Sequence, residues 1–148
     1  MNQEHIQAVI ALERECGLSP RSEESYFKLL QNSHSILIVA LNGTSGDSVI
    51  AAFSGWVVAG EFNIDNIAVK ESHRQKGIGS MLLAQAVDEA RRHGAFTAFL
   101  EVRASNDDAL SLYKKAGFSV VGRRFGYYNN PSEDAVMMSL DLLARSGI

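Results

Sequence analysis

Two glycines, Gly77 and Gly79, follow a basic turn, and the residues around them make anion binding the first chemistry to consider. The order is Ile67-Ala68-Val69, then Lys70-Glu71-Ser72-His73-Arg74-Gln75-Lys76-Gly77-Ile78-Gly79-Ser80, then a long amphipathic stretch. A strand, a turn and a helix start in that order leave unpaired backbone N–H groups at the positive end of the helix. Glycines there let an anion approach without Cβ obstruction. Lys70, Arg74 and Lys76 oppose the single charge of Glu71 and would suit phosphates; for Lys70 a solvated loop is the better reading. The spacing is not a dinucleotide fingerprint, because G-x-G-x-x-G would need glycine at Leu82. Nor is it a P-loop, because no G-x-x-x-x-G-K-[ST] occurs. The phosphate must belong to a different ligand.

A second position with chemical potential is Glu101, between Leu100 and Val102 in an apolar, alternating run. Burial disfavours the charged form of a carboxylate, which suits a proton acceptor. A carboxylate partnered with an arginine in the sheet would occupy the same kind of position. Asn106, at the start of a later helical segment, is an N-cap by type, and its amide has further hydrogen-bonding sites for a ligand.

The elements that must position these residues follow from periodicity. The chain has 148 residues, with 46% hydrophobic, 21% charged and 8% aromatic side chains, a length and composition that read as one globular domain over 1–148. Residues Asn2 to Glu15 place Ile6, Val9, Ile10 and Leu12 at near-helical spacing. Ser22 to Gln31 repeats the pattern with Tyr26, Phe27, Leu29 and Leu30, after a break at Gly17 to Pro20. Ser35 to Asn42 and Ser48 to Ala59 read as a hairpin around the Asn42 to Asp47 turn, and Phe62 to Val69 as a third strand. Gly77 to His93 is a helix stopped by Gly94, Ala95 to Arg103 a strand, and Asn106 to Ala116 a helix closed by Gly117. Phe118 to Arg124 and Ala135 to Leu142 form a terminal hairpin with a long Gly126 to Asp134 loop, and Arg123-Arg124 reads as a solvated strand end. The whole is an α/β fold without internal repeats.

Composition also narrows the function. Fourteen Lys and Arg against seventeen Asp and Glu give a net charge of −3, and the sequence pI is near 5.8. The broad basic field of a nucleic-acid binder is missing, so an anion must be held locally. The apolar run Ile36 to Leu41 is far short of the roughly 18 residues that cross a bilayer, and the first twenty residues lack a basic leader and an apolar h-region. The expected location is the cytoplasm, with no membrane partner. The four histidines are scattered away from metal-ligand spacing, so no metal is expected. Cys16, the single cysteine, cannot form an internal disulfide and reads as an incidental thiol near a helix end.

Arg74-Gln75-Lys76-Gly77-Ile78-Gly79 matches [QR]-x-x-G-x-[GA], the signature that holds the pyrophosphate of acetyl-CoA in the GNAT N-acetyltransferase superfamily. Asn66-Ile67-Ala68-Val69 before it, and Leu100-Glu101-Val102-Arg103-Ala104-Ser105-Asn106, Leu112-Tyr113 and Gly117-Phe118 after it, stand at that family's intervals. Tyr127-Tyr128 and Glu133-Asp134-Ala135-Val136-Met137-Met138 resemble the branch named for ribosomal-protein-alanine N-acetyltransferases. The resemblance spans about Ser35 to Leu142.

It implies a mixed, mostly antiparallel central sheet flanked by helices, with acetyl-CoA as acetyl donor. The segment before the first helix is so short that the family's usual first edge strand is expected to be absent or shortened. The cofactor residues implied are Ile67, Ala68, Val69, Arg74, Gln75, Lys76, Gly77, Ile78, Gly79, Ser80 and Asn106. The backbone of Ile67 to Val69 would pair with the pantetheine arm and offer an N–H to the thioester oxygen. Glu101 corresponds to the general base. A terminal amine with a pKa of about 7.7–8.0 is mostly protonated at neutral pH and needs one. Tyr113 resembles the tyrosine that protonates the departing thiolate; by type alone it is equally a core aromatic against Leu110 and Phe118. Tyr127 and Tyr128 resemble the tyrosines that wall the acceptor's N-terminus, or else anchor a loop. The implied acceptor is a protein N-terminus, of the ribosomal-protein-alanine type. Lysine or small-amine acetylation, and a non-catalytic CoA-binding module, are the alternatives. The Ser19-Pro20-Arg21-Ser22 turn departs from the branch in lacking its usual tryptophan.

Overall fold

The computed structural model describes residues 1–19, 21–43 and 48–143. The chain enters through a 3-10 turn, Gln3–His5, capped by the Asn2 side chain, and continues as α1 (Ile6–Glu15). Helix α2 (Glu23–Gln31) follows, with Ser22 in extended conformation as N-cap, its hydroxyl accepting from Ser25 N–H. Then come β1 (Ser35–Leu41), β2 (Val49–Val58) and β3 (Glu61–Val69), and a 3-10 turn, Glu71–His73, that leads into α3 (Ile78–Arg92). Strand β4 (Thr97–Arg103), α4 (Asp107–Lys115), β5 (Ser119–Tyr128) and β6 (Glu133–Asp141) complete the order. Among the described residues no strand precedes α1, so β1 is one edge of the sheet. Part of the expected turn between β1 and β2, residues 44–47, lies outside the described residues.

The six strands run β1-β2-β3-β4-β6-β5. All neighbours are antiparallel except β3 and β4, whose parallel pairing covers Glu61↔Thr97, Phe62↔Ala98 and Asn63↔Phe99 only. Beyond Asn63 and Phe99 the two strands part. The other irregularity in this region is a bulge between β2 and β3. Ser54 faces Asn66 and Gly55 faces Ile64, which leaves Asp65 as an extra residue. Gly55 is required there, because a Cβ would lie 2.7 Å from Asn63 O and 2.8 Å from Phe62 Cε1.

Two apolar layers hold the sheet. On one face Leu82, Leu83, Ala86, Val87 and Ala90 of α3 and Tyr113 of α4 pack on Phe53, Phe62, Ile64, Ala98, Leu100, Val102 and Met138. On the other, Ile6, Val9, Ile10 and Leu12 of α1 and Tyr26 of α2 cover Val49, Ala52 and Ala68. Strand β4 buries Ala98, Leu100 and Val102 and leaves Thr97, Phe99, Glu101 and Arg103 partly exposed, the alternation read from sequence.

The terminal hairpin departs from expectation. Its connecting loop is 129–132, not Gly126 to Asp134, because β5 runs on to Tyr128 and β6 begins at Glu133. Gly126, with φ +61°, lets β5 bulge without ending, and its N–H donates to Asp134 Oδ1 at 2.9 Å.

Candidate active site

The parting of β3 and β4 exposes one edge of β3. Lys70 N–H donates to Ile50 C=O on β2. Because backbone groups alternate along a strand, Ala68 and Asn66 also face β2, while Ile67 and Val69 direct theirs toward the opening. Val69 C=O accordingly accepts from outside the sheet, from Arg74 Nε at 3.0 Å and Cys16 Sγ at 3.5 Å.

The opening continues into the N-terminus of α3. Gln75 and Gly77 both have positive φ, +62° and +80°, and wrap the turn about the helix end. The first intrahelical bond runs from Met81 N–H to Gly77 C=O, so the N–H groups of Ile78, Gly79 and Ser80 have no acceptor within the helix. The Cβ position of Gly79 has Val69 Cγ2 and Leu112 Cδ2 each at 3.6 Å, so any longer side chain would enter the space between β3 and α4. A cleft of about 700 Å³ results. Its walls include Ile67, Ala68, Val69, Arg74, Gln75, Gly77, Ile78, Gly79, Ser80, Asn106 and Tyr113, all anticipated from sequence.

Several side chains do not behave as expected. Arg74 does not extend toward a phosphate: it folds back, with Nε on Val69 C=O and Nη2 3.4 Å from Cys16 Sγ, and so ties the turn to the end of α1. Lys76 lies outside the cleft walls and is exposed. Cys16 is half-buried on the cleft wall, a position its sequence neighbours did not reveal. Asn106 does cap α4, its Oδ1 accepting from Ala109 N–H at 3.2 Å, and Nδ2 takes no part in that bond.

Tyr113 lines the cleft and is 6% exposed, with its ring edge-on to Phe118 at 5.6 Å between centroids. Burial pushes its hydroxyl well above the ordinary phenol range, and the negative field of Asp65 and Tyr128 adds to this. Glu101 stands outside the cleft walls, on the partly exposed face of β4. It is not the desolvated carboxylate expected: its side chain is 28% exposed, and Arg124 Nε donates to Oε1 at 3.0 Å. Arg124 is thus engaged, not a solvated strand end. The arginine-paired geometry of the sequence alternatives is the one observed.

Tyr127 and Tyr128 pack edge to face at 5.1 Å, each under an arginine, with Arg124 5.6 Å above Tyr127 and Arg103 4.4 Å above Tyr128. Arg103 also donates to Asn129 C=O, Pro131 C=O and Glu133 Oε1, pinning the hairpin loop beside Glu101. Burial, then the field of Glu101, raises the Tyr128 hydroxyl.

Two polar clusters under α1 and α2 went unread. Glu13, 1% exposed, accepts from Tyr26 Oη at 2.6 Å and Asn66 Nδ2 at 2.9 Å. On the bulge, Asp65 Oδ2 accepts from Arg21 at 2.7 Å and Ser54 at 3.4 Å, while Arg21 stacks on Trp56 at 5.3 Å. A signal for the first existed: Glu13 extends the Ile6, Val9, Ile10 stripe at the i+7 position, where a solvated charge does not belong. Among the described residues no group of three or more His, Cys, Asp or Glu is disposed to hold a metal, and no helix is long and apolar enough to cross a membrane.

A mixed sheet that parts beside a helix N-terminus makes a cleft for an extended, phosphate-bearing ligand, and the chain belongs to the acetyltransferase (GNAT) family, whose model matches residues 6–118. It is an acetyl-CoA-dependent N-acetyltransferase. It is 33% identical over 139 residues to the ribosomal protein bS18-alanine N-acetyltransferase of Salmonella typhimurium, covering 93% of this chain and 91% of that one. The crystal structure of the ribosomal-protein-S18-alanine N-acetyltransferase from Escherichia coli superposes with a TM-score of 0.83 at 30% identity, over 100% of this chain and 95% of that chain. The NatC complex bound to Gag peptide and CoA aligns with a TM-score of 0.79 at 26% identity, over 95% and 92%. The residues present fit acetyl-CoA: a β3 edge with free N–H groups for an extended arm, and a helix N-terminal turn for its phosphates.

Proposed function

We propose that this protein acetylates the free α-amine of a protein N-terminus, in the manner of the ribosomal-protein-alanine enzymes, by direct attack on acetyl-CoA without an acyl-enzyme. The observation that carries the reading is the opening between β3 and β4: Tyr113 lines it, and Glu101 lies on the strand that borders it. The names of the similar proteins support the choice of acceptor, and such an acceptor goes with a cytoplasmic location.

Bound acetyl-CoA supplies the thioester carbonyl that is attacked. Val69 and Ile67 N–H groups hold the pantetheine along β3, and the Ile78, Gly79 and Ser80 N–H groups, with Gln75 and the Gly77 turn, receive the phosphates. Arg74 shapes that turn, while Lys76 adds charge from outside it. Asn106 caps α4 with one end of its amide and offers the other to the pantetheine. Glu101 takes the proton that the ammonium must lose, and Tyr113, protonated throughout the physiological range, is placed to hydrogen-bond the leaving sulfur and pass it a proton; because burial makes its hydroxyl a weaker acid than an ordinary phenol, that transfer depends on the thiolate charge developing beside it. Tyr127 and Tyr128 wall the acceptor's terminus beside Glu101.

The test is CoA release from acetyl-CoA with two peptides, one bearing a free N-terminal alanine and the other N-terminally blocked with an internal lysine. Release with the free terminus only is expected. Release with both overturns N-terminal selectivity in favour of broad amine transfer, and release with neither points to small amines or a binding module.

A further inference from the structure

The contact between Arg124 and Glu101 bridges 23 positions of sequence and two strand pairings. Glu101 faces Met137 across β4 and β6, Met137 faces Gly122 across β6 and β5, and Arg124 lies two residues further on, opposite Ala135, which also faces Arg103. A register shift between Val120 and Gly122 sets this alignment, and a second between Arg124 and Tyr128 turns the tyrosines over the same face. Arg124 Nε donates to Oε1 of Glu101 and, among the described residues, no group donates to Oε2, while the guanidinium lies over the Tyr127 ring. The Arg124 side chain is 52% exposed, so the pair stands at the solvent-facing surface of β4 and β5.

We propose that Arg124 is a positioning residue for the transfer: it fixes Oε1 of Glu101, leaves Oε2 to receive the proton, and sets a permanent cation where the acceptor amine must become neutral. This rests on Glu101 acting as the base. The step is a single proton transfer, in which an N–H bond of the acceptor ammonium breaks and an O–H bond forms at Oε2, leaving the nitrogen lone pair for attack. A cation beside an ammonium disfavours the ammonium, so Arg124 helps the amine give up its proton. The other titratable group coupled to Glu101 is Tyr128 from β5, whose hydroxyl also feels Tyr127, Arg103 from the same strand as Glu101 and Glu133 from β6; Tyr128 in turn is coupled to Tyr113 of α4, which also feels Asp65 of β3. Arg103 is engaged by Glu133 and the loop carbonyls, which leaves Arg124 as the cation bonded to Glu101.

The experiment compares the parent with Arg124→Gln and Arg124→Lys, using an N-terminally free peptide and the pH dependence of kcat/KM, with Glu101→Gln as a reference. Arg124→Gln is expected to lower kcat about tenfold at neutral pH with an unchanged KM for acetyl-CoA. Its acid limb moves up by roughly half a pH unit or more, whereas Arg124→Lys keeps the limb near the parent position. An acid limb in Arg124→Gln that superimposes on the parent overturns the proposal. Full activity in Glu101→Gln instead overturns the base assignment beneath it, and that variant reads out independently of Arg124. Because Arg124 is absent from the cleft walls, calorimetric titration with CoA checks that each variant remains folded, and lost CoA binding in Arg124→Gln would replace the positioning role with a structural one.

Discussion

Asn63 and Phe99 are the last facing pair between β3 and β4, and the β3 backbone beyond them is free to hold a ligand on the side away from β2. Across that gap, Gly79 lies between the two walls, with Val69 and Leu112 at contact distance from its Cβ position. Gly79→Ala should fold normally and keep acetyl-CoA turnover, because a methyl makes only ordinary contacts there. Gly79→Leu should raise the KM for acetyl-CoA by about tenfold or more, since the added branches must occupy the cleft. Steady-state kinetics with varied acetyl-CoA, alongside thermal melting of both variants, separates occlusion from misfolding.

Replacing Glu101 by Gln keeps the shape of the side chain and an oxygen for Arg124 Nε to bond, but removes the proton acceptor. We expect kcat to fall about a hundredfold at neutral pH, the lower end of what a positioned base contributes. Binding of CoA should be unaltered, because Glu101 is not on the cleft wall. Raising the pH should recover part of the lost rate, as more of the acceptor amine is neutral without help. A variant as active as the parent at neutral pH would mean that Glu101 serves the sheet and not the reaction.

Tyr113→Phe isolates the hydroxyl, since the ring and its edge contact with Phe118 are retained. The expected result is a kcat lower by about tenfold to a hundredfold, with little change in melting temperature. Burial, with Asp65 and Tyr128, holds the Tyr113 proton well above the ordinary value of 10.0. The parent should therefore show no loss of rate from this group below about pH 10. An alkaline limb near neutral pH that vanished in Tyr113→Phe would contradict the assignment.

Much of the fold was legible because short-range patterns decide it. The β4 alternation and the α3 stripe are fixed by neighbours within one or two turns of chain, and both appear where periodicity puts them. The cleft residues were legible for the same reason: strand, turn and helix N-terminus are contiguous. What could not be read depends on distant partners. Arg74 is 58 residues from Cys16, and only the packing of α1 beside the turn makes folding back better than reaching out. The Glu101–Arg124 pair needs the β5–β6 register, including a bulge that no local pattern announces. Gly126 looked like a loop residue, but Asp134 satisfies its N–H and lets β5 continue. Exposure of Glu101 follows from the same geometry: the helices cover β4 only on the face of Leu100 and Val102.

Glu13 provides a stability test independent of catalysis. Burial raises its pKa above the ordinary 4.5, and the hydrogen bonds from Tyr26 and Asn66 only partly offset this. A raised folded-state value contributes stability that is fully present below pH 4.5 and is lost as pH climbs through the shifted value. Tyr26, also raised, adds a loss of the same sign far into the alkaline range. Glu133 and Asp134 act in the opposite sense. The Ser105 bond holds Glu133 below its usual range and the Gly126 N–H does the same for Asp134, so their contributions are present above the ordinary 4.5 and 3.8 and disappear as the solution is acidified. Glu13→Gln can keep both hydrogen bonds, with its carbonyl accepting from Asn66 and its amide donating to the Tyr26 oxygen, while removing the titration. Urea unfolding across pH 4 to 8 should therefore show a flatter decline above pH 4.5 in Glu13→Gln than in the parent, and the same fall on the acid side. A parallel decline in the two proteins would mean that Glu13 titrates in the folded protein as it does in the unfolded chain, the hydrogen bonds from Tyr26 and Asn66 fully offsetting the cost of its burial.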